Sequence, residues 1–108
     1  MVGTWSGVYP PGPYPFSGKP VSVTFAADGT GTTASERAHD GITWKLDGGS
    51  FTLAGTTETG GRFVCHRGQA GTYRATFSAD CASVTFKVTD EPCKGRAYAI
   101  DGNTFTKK

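Results

Sequence analysis

Few side chains in this sequence are equipped for chemistry, and they are scattered. Glu36, His39 and Asp40 share one polar stretch, in which a carboxylate can orient an imidazole that takes a proton from a substrate. The commoner fate of such a run is a solvated loop, so catalytic residues are left unassigned. His66 stands beside Cys65, but there is no Cys-x-x-Cys and the other histidine is the distant His39. That donor set is at most partial, and no metal is expected. Without a Gly-x-Ser-x-Gly elbow, a Walker loop or a His-Glu-x-x-His, serine-hydrolase, nucleotide and zinc-protease chemistry have no foothold, and no cofactor is expected. What remains is aromatic. The phenols of Tyr73 and Tyr98 and the indole of Trp44 can orient a ligand carbonyl or hydroxyl within an apolar lining.

Positioning those rings falls to one unit, because 108 residues make a single domain, 1–108, with one core. Sixteen Gly and six Pro among abundant Thr, Ser, Val, Phe and Tyr favour short strands joined by tight turns, hence an all-β class. A formal charge of +2 with scattered Lys and Arg is too small for a nucleic-acid footprint, and no such partner is expected. No apolar run approaches the roughly 20 residues of a membrane span, and no charged segment with an apolar stretch precedes Thr4. A soluble chain without an export signal is the expectation, although a signal removed by processing leaves the same trace.

Val2 to Tyr9 reads as a first strand, and the run Pro10-Pro11-Gly12-Pro13-Tyr14-Pro15-Phe16 as a stiff loop, since proline lacks an amide donor. Val21, Val23 and Phe25 alternate with polar residues up to an Asp28-Gly29 turn, and a weaker strand returns through Gly31 to Ser35. Ile42, Trp44 and Leu46 pair across Asp47-Gly48-Gly49 with Phe51 and Leu53 as a second hairpin. Arg62 to His66 reads as a strand; Tyr73 to Phe77 and Val84 to Val88 form a hairpin turning at Ser78 to Ala82. Arg96, Tyr98 and Ile100 read as another strand, then Asp101-Gly102 and a last strand at Phe105, with no convincing helix anywhere. About nine candidates with turn signals every 8 to 12 residues or so favour an antiparallel barrel or sandwich.

Gly3-Thr4-Trp5 at the start and Gly95-Arg96 near the end resemble the Gly-x-Trp opening and late Arg of lipocalin-like barrels. Gly71-Thr72-Tyr73-Arg74, Val84-Thr85-Phe86 and Asp90-Glu91-Pro92-Cys93-Lys94-Gly95-Arg96 are similar to small lipocalin-like (calycin-type) bacterial proteins of mostly unassigned function. The resemblance implies an up-and-down antiparallel barrel of about eight strands, with Trp5 across its closed end and Arg96 packed on that ring. It also implies exported ligand-binding domains or natural-product cyclases as relatives. The ends resemble avidins too, through Gly3-Thr4-Trp5 and Thr104-Phe105-Thr106-Lys107, but Trp44 is the only other tryptophan, too few to wall a biotin site.

The three cysteines bear on the compartment. If Arg62–His66 and Tyr73–Phe77 form a hairpin, Cys65 lies at its loop end, the end to which Val84–Val88 returns before Cys93. Cys81 sits in the opposite turn, roughly 20 Å away along a strand, beyond the Cα separation of about 7 Å that a bridge tolerates. One disulfide, Cys65 to Cys93, is expected with Cys81 free; three reduced thiols in a cytoplasmic protein are the alternative.

Three functions stay open. The first is a small-molecule binding barrel for an apolar or aromatic ligand, lined by Val21, Val23, Phe25, Trp44, Phe51, Tyr73, Phe86 and Tyr98. The second is a cofactor-independent cyclase or isomerase using the same cavity to fold a substrate. The third is a secreted interaction or inhibitor protein with a filled core, for which the Pro-rich loop with Tyr9, Tyr14 and Phe16 is the place to seek partner contact. The first and third lean to a secreted or cell-envelope setting and the second to the cytoplasm; exposed edges of the first and last strands leave dimerisation open.

Overall fold

The computed structural model describes residues 1–13, 17–35, 39–55 and 68–108, with only the backbone of His39. The alternating segments become strands β1 (Gly3–Val8), β2 (Pro20–Phe25), β3 (Thr30–Ser35), β4 (His39–Asp47), β5 (Ser50–Gly55), β6 (Ala70–Phe77), β7 (Ser83–Asp90) and β8 (Thr104–Lys107). They follow one another antiparallel in chain order and close into a barrel through the β1–β8 seam. The strand expected over Arg62–His66 lies outside the described residues.

Register follows the apolar alternation. Trp44 pairs with Leu53 and Leu46 with Phe51, so the inward residues of one strand meet those of the next. A one-residue slip would put all of them on the outside. Short turns gather at one end. Asp28 shapes the first, its Oδ1 accepting from the Thr30 amide at 2.9 Å and the Thr30 hydroxyl at 2.6 Å. The β4–β5 turn uses Gly48 and Gly49 at φ +57° and +90°, values that glycine adopts without a Cβ clash. The strand directions therefore send the longer connections, β1–β2, β5–β6 and β7–β8, to the opposite end.

One sequence expectation fails outright. Arg96, Tyr98 and Ile100 lie on a helix, α1 (Lys94–Ile100), not on a strand. The stretch has strand-like alternation at Tyr98 and Ile100, but it also has Ala97 and Ala99 in its centre, Pro92 before it and Gly102 at φ +74° after it. Alanine favours helix most, and the flanking proline and glycine mark its bounds. Cys93 O accepts from the Ala97 amide at 3.0 Å and Ala97 O from the Asp101 amide at 2.8 Å. Ala99 is the residue of the helix that is buried.

The core is one cluster within the barrel: Trp5, Val21, Phe25, Ile42, Phe51, Leu53, Tyr73, Ala75, Val84, Phe86 and Phe105. Val23, Trp44 and Ile100 pack against it partly buried.

Candidate functional site at the loop end

The rings expected to line a cavity instead touch one another. Phe25 meets Trp44 edge-on at 5.2 Å between centroids and Phe51 at 5.6 Å; Phe51 meets Phe86 at 4.9 Å; Phe86 meets Tyr73 at 6.4 Å and Phe105 at 5.9 Å. These are ordinary distances for packed aromatic pairs. Their polar handles are also engaged. Trp44 Nε1 donates to Ala26 O at 3.1 Å and Thr30 O at 3.0 Å, tying the indole to the short-turn end. Tyr73 donates its hydroxyl to Glu91 Oε2 at 2.7 Å. Of the six residues proposed as ligand-binding, Phe25, Phe51, Tyr73 and Phe86 are thus brought together in the core, with Trp44 packed against them partly buried. Tyr98 is elsewhere, on α1, donating to Pro10 O at 3.3 Å and to Pro11 O.

Trp5 and Arg96 are not partners. The Trp5 indole donates to Met1 O at 2.9 Å, meets Phe77 edge-on at 6.1 Å, and has Lys107 Nζ 5.9 Å from its ring centroid. The reason is register: Trp5 pairs with Lys107 on β8, whereas the helix carries Arg96 to the loop end.

At that loop end the structure shows a buried carboxylate that was not among the site residues singled out in the sequence. The Glu91 side chain has 0 % exposure, although its residue as a whole is only half-buried. Arg96 Nε donates to its Oε2 at 2.7 Å and Arg96 Nη2 to its Oε1 at 2.9 Å, a fork matched to a carboxylate. The Cys93 amide donates to Oε1 at 3.0 Å, and Arg96 Nη2 also reaches Gln69 O at 2.6 Å. Burial by itself would raise the Glu91 carboxyl, but the bonds from Arg96, Tyr73 and Cys93 outweigh it and hold it below its ordinary value. Burial first, and donation to Glu91 second, push the Tyr73 phenol far above its ordinary value.

Gly71 is what makes room for this carboxylate: a methyl group there would overlap the Glu91 side chain. The signal was present in the sequence. Tyr73, Ala75 and Phe77 point inward on β6, so Gly71 holds an inward position with no side chain to fill it.

Two other groups stand at the same end. Tyr9, half-buried, has its phenol raised by burial and then by the charge of Asp40, which shares the inward parity of Ile42 on β4. Of the Glu36, His39 and Asp40 triplet, Glu36 lies outside the described residues and His39 is placed by its backbone alone, so the base-and-orienter reading gains no geometry. Tyr14, Phe16, Cys65 and His66 also lie outside them. Cys93 precedes α1 at its N-cap and Cys81 is free and exposed, so no disulfide joins two described cysteines.

Among the described residues no group of three or more His, Cys, Asp or Glu is placed to hold a metal, and no helix is long and apolar enough to cross a membrane. A shallow depression of about 300 Å³ across β1, β2 and β3, lined by Ser6, Pro20, Val21 and Ala34 among others, includes none of the six residues proposed as ligand-binding.

Fold and site together define an eight-stranded, antiparallel up-and-down β-barrel with a buried Glu91–Arg96 ion pair at its loop end. No family model matches the chain, and no curated protein or solved structure does so either.

Proposed function

We propose that this protein is an interaction or inhibitor protein of lipocalin-like build, which presents its loop end to a macromolecular partner above a filled core. One observation carries this reading: the rings that would wall a ligand chamber form a continuous run of contacts from Trp44 through Phe51 to Phe105. An eight-stranded barrel is narrow enough for side chains to fill. Recognition then falls to the loops on a rigid scaffold. A cyclase needs a chamber where these rings touch, and that reading loses its support.

A second reading, a small apolar or aromatic molecule held at the mouth, is favoured by Tyr9 and Asp40, a phenol and a carboxylate at the loop end.

Both are tested with photo-crosslinking residues placed singly at Pro13, at the loop end, and at Thr106, on the wall, together with titration by an apolar fluorophore. The proposal expects protein adducts from the loop-end position only and no saturable fluorophore site. Saturable one-to-one fluorophore binding weakened by Tyr9→Phe would support the second reading and overturn the first.

A further inference from the structure

β8 is too short to complete the barrel wall. Its pairs with β7 stop at Thr85 with Thr104, and its pairs with β1 stop at Ser6 with Thr106. Toward the loop end, β7 runs on to Asp90 and β1 to Val8, and among the described residues no strand lies between them. Backbone and side chains around α1 fill that gap. Asn103 O accepts from the Phe86 amide at 3.1 Å, and Phe86 O from the Gly102 amide at 2.7 Å. Asp101 Oδ1 takes the Val88 amide at 2.9 Å, and Asn103 Nδ2 donates to Val8 O and Ala99 O, each at 3.0 Å.

We propose that α1 with its following turn is a hinged gate in the wall between β7 and β1, latched by the Arg96–Glu91 pair and by the Tyr98 bond to the Pro-rich loop. This goes beyond the functional reading above and does not depend on it.

Three observations support a gate over a fixed wall. The helix has seven residues, far short of the length at which helices hold by themselves, and no side chain caps its first turn. It commits little apolar surface, with Ala99 buried and Ile100 partly so. Its attachments are mainly polar, and opening returns both charges of the latch to water, where a buried pair is close to break-even. Elements held in this way open well before a domain unfolds. The turning points are Gly102, at φ +74°, and the Glu91-Pro92-Cys93 segment. Opening frees the Val88 amide from Asp101 and the Phe86 amide and carbonyl from Asn103 and Gly102.

Native-state hydrogen exchange on the full chain tests this. The amides of Ala97 and Asp101, within the helix, and of Val88, bonded to Asp101, report on the gate. The slowest amides of β5 and β6 report on the barrel. The gate amides are expected to exchange together, at least about 100-fold faster than the barrel amides. Tyr98→Phe and Glu91→Gln each remove a latch and should speed the gate set, by about 3-fold and at least about tenfold. Phe25→Leu, in the core at the short-turn end of β2 where it pairs with Gly3, should speed the barrel set about tenfold and leave the gate set unchanged, because its contacts survive gate opening. Tyr98→Phe keeps the test decisive if Glu91→Gln does not fold. Gate amides that match the barrel amides in rate, or that follow them in Phe25→Leu, would overturn the proposal.

Discussion

Arg96 grips Glu91 with two bonds of 2.7 and 2.9 Å, and the two side chains are only 10 % and 0 % exposed. The two residues are five apart in sequence, so the pair fixes how the chain leaves β7 and enters α1. Removing one partner strands the other's charge away from water. Arg96→Ala is expected to lower stability by about 3–5 kcal/mol, read from the urea midpoint. Arg96→Lys should recover only part, since an ammonium cannot supply the planar fork. Replacing both with Glu91→Leu and Arg96→Met should be far milder than either single loss.

The same cluster sets a pH signature with two limbs. Glu91 is held below its ordinary value of 4.5, so the unfolded chain takes up that proton first as pH falls. Its contribution is full above about 4.5 and is lost as pH drops through the lower folded value. Tyr73 is raised above its ordinary value of 10.0, so its contribution is full below that and declines as pH climbs past it. Tyr9 is shifted the same way. Urea midpoints across pH should show both declines, with Glu91→Gln weakening the acid limb and Tyr73→Phe the alkaline one. An acid limb unchanged in Glu91→Gln would rule out this assignment.

Gly71→Ala should be costly despite being a favourable exchange in most strands. The new methyl group meets the Glu91 carboxylate inside the barrel and forces it off Arg96. A loss of about 1–3 kcal/mol is expected from overpacking, with a larger one if the ion pair breaks. Gly71→Ala combined with Glu91→Ala should restore part of it, because the clash is with that side chain.

Phe86 touches the rings of Phe51, Tyr73 and Phe105 and is 4 % exposed. Phe86→Ala should destabilise by about 3–5 kcal/mol, and it should create an apolar void absent from the parent. Apolar fluorophore binding that appears only in this variant would mark the native core as filled.

Cys81 lies exposed in the β6–β7 turn at φ +58°, a conformation costly for residues with a Cβ. Native protein should accept one equivalent of a maleimide at Cys81, and Cys81→Gly should be neutral or stabilising by about 0.5–1 kcal/mol. Non-reducing peptide mapping tests the Cys65 to Cys93 bridge, which remains a proposal: its expected product is a linked 65/93 peptide pair, and three labelled thiols would eliminate it.

The strands were legible because the barrel buries one face of each: Val21 and Phe25, Phe51 and Leu53, and Tyr73 and Ala75 alternate, and all six are buried. Turns were legible from Asp28-Gly29 and Gly48-Gly49 because positive φ selects glycine. The helix was missed because Tyr98 and Ile100 also fit a two-residue period, and seven residues give too little length for the two periods to be told apart. Glu91 was missed because its neighbours Asp90 and Pro92 mark a turn, and turns predict solvent. Only the empty inward position at Gly71, on another strand, reveals that a carboxylate folds inside. The Trp5–Arg96 expectation failed with the helix, since it needed Arg96 on a strand.

The seam between β1 and β8 has a kinetic meaning. Every other strand pair in the closed order joins neighbours in the chain, whereas Ser6 meets Thr106 across almost the whole chain. The entropy of closing so long a loop falls on this seam, whose strand ladder returns only two paired positions beside the Asn103–Val8 and Tyr98–Pro10 bonds. A meander of hairpins can zip up one after another, and ring closure then sets the pace of folding. Mutations in the seam, such as at Ser6 or Thr106, should therefore slow folding more than equally destabilising changes in the β4–β5 hairpin.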